Sequence, residues 1–123
     1  MKITKITVYT VPLDSWDGAS RYNDQQVLTP ALNSTVVRLD TDSGLFGIGE
    51  TCTPPPYYLP TLTDEAEIGI GYLAPLLVGR DPLDRGVIAH QMKESLRGHG
   101  NVISAIDMAL WDLVGKIHNM PLY

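Results

Sequence analysis

The sequence predicts an α+β domain, a three-stranded antiparallel meander followed by a helical bundle. Three observations carry the prediction. The first fifty residues hold three short stretches of strand-forming character separated by turn signals. The second half holds apolar residues at helical spacing, broken by glycine and proline clusters. At 123 residues, 44% hydrophobic and 19% charged, the chain can bury one core and not comfortably two.

The first strand is expected over Ile3 to Val11, rich in β-branched residues and Tyr9, with Pro12 ending it. The second is expected over Thr35 to Asp40, where Val37 and Leu39 share one face and Val36 and Arg38 the other. Thr41-Asp42-Ser43-Gly44 is a turn cluster whose glycine can supply a positive φ. It joins the second strand in a hairpin to the third, Leu45 to Glu50. Gly47 and Gly49 weaken that third strand but let something bulky approach its backbone.

Thr63-Asp64-Glu65 opens the first helix, with acids where the helix dipole favours them. Ala66, Ile70, Leu73 and Leu77 mark its inner face, and Pro75 is expected to kink or end it. Asp81-Pro82 reads as cap and first position of a second helix whose Val87, Ile88, Met92 and Leu96 point inward. Gly98-His99-Gly100 stops it. A third helix is expected from about Val102 to Ile117, ended by Asn119 and Pro121.

That last helix is apolar nearly all round. Val102, Ile106, Ala109, Leu110, Leu113 and Ile117 form one stripe, and Ile103, Met108, Trp111 and Val114 fill much of the rest. A domain this small covers one face well, so the second is expected to dock on something outside this chain. Trp111 is expected in the core. Asp112 and Lys116 stand one turn apart in the favourable acid-first order.

Two long connections remain. Pro12 to Ser34 carries Trp16, Arg21 and Tyr22, and the irregular stretch Thr51 to Pro60 carries Cys52, three consecutive prolines, Tyr57 and Tyr58. With strands running up, down and up, both leave the same end of the sheet. They are either a lid over a binding site or a cover for the sheet edge.

Composition excludes several classes. The net charge of −5, with nine scattered basic residues, speaks against nucleic acid. The single Cys52 rules out an intrachain disulfide and a cysteine-rich zinc site. No apolar run approaches the roughly 20 residues a membrane span needs, and Lys2 and Lys5 interrupt the N-terminus where a signal peptide would be apolar. A cytoplasmic location is expected. His90, His99 and His118 lack metal-ligand spacing, His90 reading as helix surface and His118 as a cation at a helix C-terminus. Asp107 and Asp112, five apart on a helix, face different sides and make no acid/base pair. Neither Gly47/Gly49 nor Gly69/Gly71 has the strand, turn and helix of a dinucleotide site. Cys52 has no histidine in its segment and reads as a pocket-lining or buried thiol, not a nucleophile.

The run Ala105-Ile106-Asp107-Met108-Ala109-Leu110-Trp111-Asp112-Leu113-Val114-Gly115-Lys116 resembles the signature helix of the mandelate racemase/muconate lactonizing enzyme family of the enolase superfamily. Gly44-Leu45-Phe46-Gly47-Ile48-Gly49-Glu50 and Leu76-Leu77-Val78-Gly79-Arg80-Asp81-Pro82 fall in the order that family shows. The resemblance implies that residues 1–123 are an N-terminal substrate-capping domain, ending just after the signature helix. It implies a separate (β/α) barrel, on the order of 200 further residues, that is missing from this chain. Such a barrel holds Mg2+ on three acidic residues, and a lysine or histidine base there removes a proton α to a carboxylate. No catalytic residue and no metal ligand is then expected in this chain, which alone would be inactive.

The loops of the cap would close over the substrate. Carried onto this sequence, the candidate substrate-binding residues are Trp16, Arg21, Tyr22, Thr51, Cys52 and Tyr57. The intact protein would be a racemase or epimerase, a dehydratase or a cycloisomerase on a small carboxylic acid, the aromatic and sparsely charged loops leaning toward a compact one. Its partners would be that substrate, its own C-terminal barrel and, by resemblance, further copies in a homo-oligomer. The alternative is a free-standing protein-interaction module using the same fold.

Overall fold

The computed structural model describes residues 1–13, 32–53, 61–62 and 64–123. Three antiparallel strands, β1 (Ile3–Leu13), β2 (Leu32–Thr41) and β3 (Phe46–Cys52), form one sheet in the order β1-β2-β3. Three helices follow, α1 (Glu65–Leu77), α2 (Arg85–Ser95) and α3 (Gly100–His118). The meander-then-helices order is the one the sequence predicts.

Register decides what the sheet buries. Val8 lies opposite Val37, which lies opposite Gly49, and Ile6 opposite Leu39, which lies opposite Gly47. These residues share the inner face, and Val37 and Leu39 are fully buried. All three strands outrun their expected limits. β1 continues through Pro12 to Leu13, because β1 is an edge strand, where proline is tolerated at positions whose N–H would face no neighbour. β3 runs on to Cys52, so Thr51 and Cys52 are strand, not the irregular loop expected from them. The hairpin turns at Gly44, whose φ is +84°. The start of β1 is pinned to the end of α1, with Gly79 N donating to Ile3 O at 2.8 Å and Ile3 N to Arg80 O at 2.9 Å.

α1 buries Ala66, Ile70, Leu73 and Leu77, the face its periodicity marks. Pro75 neither ends it nor lies deep in it. It is exposed and two residues from the C-terminus, opposite an exposed Gly71 whose carbonyl loses its helical partner to the proline. Asp64 makes no side-chain cap. The Glu65 carboxylate accepts from Leu62 N, ahead of the helix, at 3.2 Å. Asp81 caps a 3-10 turn over Pro82–Asp84, one turn before α2 begins. Its carboxylate accepts from Leu83 N at 2.9 Å and lies 3.3 Å from the chain's N-terminal ammonium. These contacts, the Leu83 N–H foremost, hold it below the usual carboxylate range. In α2 Ile88 and Met92 are buried as expected and Leu96 is half-buried, but Val87 is 54% exposed. Val87 stands about 100° round the helix from Ile88, so the fully buried stripe consists of Ile88 and Met92, with Ala89 and Leu96 packed partly against the core.

α3 lies across the inner face of the sheet and carries the core. Val102, Ala105, Ile106, Ala109, Leu110 and Leu113 are fully buried against β2, β3, α1 and α2. It ends at Asn119 in the left-handed region, where Met120 N bonds Gly115 O and Asn119 N bonds Lys116 O, a Schellman closure. The tail then folds back, with Leu122 against Gly115.

Candidate functional site

The residues that make α3 distinctive build a seam with β3. A Cβ on Gly47 would stand 2.1 Å from the carbonyl oxygen of Ala109, and one on Gly49 would stand 1.9 Å from that of Ala105. Only glycine permits this approach, so the bulky body expected at these positions is α3 itself. Strand and helix run antiparallel along it, Gly49 meeting Ala105 and Gly47 meeting Ala109.

Being an edge strand, β3 presents main-chain groups that no further strand satisfies. Two side chains of α3 meet them. Asp112 Oδ2 accepts from Ile48 N at 2.8 Å, and Lys116 Nζ donates to Phe46 O at 2.7 Å and to Asp112 Oδ2 at 2.7 Å. Lys116 also stands 4.5 Å from the centroid of the Phe46 ring, with the Arg38 guanidinium 4.0 Å from that centroid. Asp112 and Lys116 thus serve as a surrogate strand. This role was not readable from the sequence, where the pair showed only as an i,i+4 couple.

Asp107 faces elsewhere. It pairs with Arg85 of α2 at 2.7 Å, and the Arg85 guanidinium lies 4.0 Å over the ring of Trp111. Trp111 is therefore no core residue. It is 41% exposed, on the same flank of α3 as exposed Met108. Ile103, by contrast, is buried, and Val114 is half-buried. The apolar face left uncovered is narrower than expected and consists of Met108 and Trp111, with Gly115 and the returning tail beside them.

The other half of the candidate site is the end of the sheet away from the hairpin. Leu13 pairs with Leu32 and Ser34 with Cys52, so the attachment points of both long connections lie at that end. Trp16, Arg21, Tyr22 and Tyr57 lie outside the described residues. Of the six candidates, only Thr51 and Cys52 fall within them, on adjacent positions of β3 and hence on opposite faces. Thr51 lies opposite Thr35 on the inner face, half-buried, while Cys52 is exposed on the outer face with a free thiol. They cannot line one wall together.

Antiparallel travel along the seam brings the start of α3 toward this same end. There His99 Nδ1 lies 2.7 Å from Glu65 Oε1, tying the starts of α1 and α3. Among the described residues Thr53 Oγ1 and Asn101 Nδ2 are buried without a hydrogen-bond partner, and Glu50 accepts from the buried Ser34 hydroxyl. Nothing in the sequence singled out these polar groups, because the pairs that meet there, His99 with Glu65 and Ser34 with Glu50, are 34 and 16 positions apart. The three histidines sit on or beside helices, His90 exposed on α2 as expected and His118 at the last position of α3. Among the described residues no group of three His, Cys, Asp or Glu side chains could hold a metal ion. Asp107 and Asp112, the carboxylates of α3, are committed to Arg85 and to Ile48 and Lys116. The chemistry of this donor set does not fit a magnesium site. No helix among the described residues is long and apolar enough to cross a membrane.

Residues 27–123 match the model of the mandelate racemase/muconate lactonizing enzyme N-terminal domain. The cis-3-hydroxy-L-proline dehydratase of Roseibium aggregatum is 41% identical over all 123 residues, which span 33% of its length. An enolase-superfamily member from Roseovarius nubinhibens, solved in complex with magnesium, superposes with a TM-score of 0.80 at 36% identity. That match covers 95% of this chain and 31% of the other. The 2-chloromuconate cycloisomerase of Rhodococcus opacus gives 0.79 at 28% identity, over 95% of this chain and 30% of its own. The chain therefore spans about a third of the length of these relatives.

Proposed function

The chain belongs to the mandelate racemase/muconate lactonizing enzyme family, and we propose that it is the substrate-capping domain of an enzyme that removes a proton α to a carboxylate. The whole of residues 1–123 is read as that one domain, in a cytoplasmic protein. The catalytic base and the magnesium ligands are assigned to the remaining two-thirds of such a protein, and this chain alone is expected to be inactive. Magnesium there would supply charge to stabilise the enediolate.

One observation carries the reading. The attachment points of both long connections lie at one end of α3, and residues 119–123 follow its other end, about 28 Å away for a helix of 19 residues. Between them runs the uncovered flank of Met108 and Trp111. A body that continues from Tyr123 and packs along this flank would lie beneath the two loops, which could then close over its mouth. The substrate contacts are assigned to those loops and their roots, namely Trp16, Arg21, Tyr22, Thr51, Cys52 and Tyr57. Racemase, epimerase, dehydratase and cycloisomerase chemistries all fit this arrangement. A hydroxylated cyclic amino acid is the first substrate class to test, because the match to the proline dehydratase extends over all 123 residues at 41% identity. In that reaction the α-proton goes to a base and the neighbouring hydroxyl leaves as water.

The test is proton exchange in D2O, followed by proton NMR, on the full-length protein carrying this chain. The panel comprises cis-3-hydroxy-L-proline, a muconate and a sugar acid. Exchange or dehydration of one class, lost with a chelator and restored by magnesium, is the expected result. Turnover by the 123-residue chain alone, or none by the full-length protein with any α-proton acid, would overturn the proposal.

A further inference from the structure

We propose that Glu65, seated by His99, is a positioning residue for substrate binding, fixing the point at which the connection from β3 to α1 re-enters the fold. The proposal rests on the capping reading above, in which that connection carries substrate contacts. One root of the connection is held by the β2–β3 ladder, which runs on to the pairing of Ser34 with Cys52. The other root is held by Glu65. Its N–H donates to Leu62 O at 3.0 Å, and its Oε2 accepts from Leu62 N at 3.2 Å. Its other oxygen, Oε1, lies 2.7 Å from His99 Nδ1, just ahead of α3. An ionised carboxylate only accepts, so Nδ1 carries the proton.

Burial makes this contact count. The Glu65 side chain is 12% exposed, so its carboxylate has given up most of its water and depends on a partner for each oxygen. Held through both oxygens, the group is fixed in place and in rotation. Without His99, Oε1 has no partner, the carboxylate turns toward water, and its grip on Leu62 N loosens. α3 in turn is fixed on β3 by the close approach of Gly49 to Ala105. Both roots are therefore referred to one rigid unit, Cys52 through β3 itself and Leu62 through Glu65 and His99 to α3. Tyr57 stands five positions from each root. A segment with both roots already fixed has less freedom to lose when it orders on a ligand. Contacts made by such a segment form in the ground state and the transition state alike, so loosening a root raises KM and leaves kcat. A merely structural role would instead lower the folded fraction, and with it the apparent kcat, at unchanged KM.

The test is steady-state kinetics of the full-length protein on the acid that the deuterium-exchange panel identifies. His99→Ala and Glu65→Ala should each raise KM about tenfold, with kcat within about threefold of the parent. His99→Asn, whose amide nitrogen can stand where Nδ1 stands, should return KM to within about threefold of the parent. Arg97→Ala breaks the exposed pair with Glu94, two positions before His99, and should leave both constants unchanged. If Glu65→Ala fails to fold, Glu65→Gln, which keeps the length but only one acceptor oxygen, replaces it and should raise KM in the same direction. Amide hydrogen exchange in the fragment containing Leu62, read by mass spectrometry, should be roughly threefold faster in His99→Ala. An unchanged KM or unchanged exchange in His99→Ala, no rescue by His99→Asn, or an equal rise in KM from Arg97→Ala overturns the proposal. A parent that turns over none of the panel acids fails the capping reading and takes this proposal with it. A parent that turns one over, with KM unmoved by His99→Ala, fails this proposal alone.

Discussion

Asp112, near the end of α3, accepts a hydrogen bond from the main-chain N–H of Ile48 on β3, 64 residues earlier, at 2.8 Å. Lys116, one turn on, binds the Phe46 carbonyl at 2.7 Å. The two side chains close the open edge of the sheet, and the glycines beneath them set how closely the helix lies. The residues by which the chain is most readily recognised are thus committed to holding a helix on a strand.

The glycine seam predicts opposite outcomes for similar substitutions. Gly49→Ala would put a methyl group 1.9 Å from the Ala105 carbonyl oxygen, backbone that cannot step aside. Its cost should be about 3 kcal/mol, at the upper end for overpacking. Gly47→Ala should behave alike. Gly71→Ala, on the exposed face of α1 with nothing within 4 Å, should stabilise by roughly 0.5–1 kcal/mol. Urea unfolding at one temperature reads all three.

Removing either surrogate-strand residue should destabilise modestly. Asp112→Ala strands the Ile48 N–H and should cost about 1 kcal/mol, as should Lys116→Met. Each side chain is about a third exposed, so their mutual ion pair adds little. A double-mutant cycle should therefore give a coupling well below either single effect. A coupling of several kcal/mol would contradict the assignment of these residues to the strand edge.

Asp81 makes stability depend on pH in a defined window. Its folded pKa is depressed, chiefly by the Leu83 N–H, so over the acid range the unfolded chain binds its proton more readily. The stabilisation is present above the unfolded carboxylate value of about 3.9 and is lost as pH falls through the folded one. Asp81→Asn should flatten the decline of the urea midpoint below about pH 4 relative to the parent chain. An unchanged slope would remove Asp81 from the account.

Much of the fold was legible because periodicity reports burial directly. Val37 and Leu39 alternated into the core, and Ala66, Ile70, Leu73 and Leu77 all proved buried. The misreadings share a cause, for each needed knowledge of what lies alongside. Pro12 is tolerated because β1 has a neighbour on one side only. Trp111 is half out on a flank of α3 where Arg85 is its neighbour, and Val87 faces water because the core packs on the Ile88 and Met92 face of α2. The site was less legible. Gly47 and Gly49 signalled a close approach, but the pairing of Asp112 with Ile48 and of His99 with Glu65 depends on contacts between distant segments.

The corrected α2 stripe predicts a contrast. Leu110→Ala, from the centre of the core, should cost about 2–5 kcal/mol. Val87→Ala, apolar and expected inward from sequence, should fall within about 0.5 kcal/mol of the parent, because it removes exposed atoms. Equal costs in a denaturant titration would mean that Val87 is packed after all.

The geometry gives Asp112 a structural role at the edge of β3, and the steady-state kinetics of Asp112→Asn in the full-length protein separate that role from proton transfer. The melting temperature should fall with kcat within about threefold of the parent, since no proton transfer is lost. A kcat reduced by about 10²–10⁴, the span for a general acid or base, at an unchanged melting temperature would contradict it.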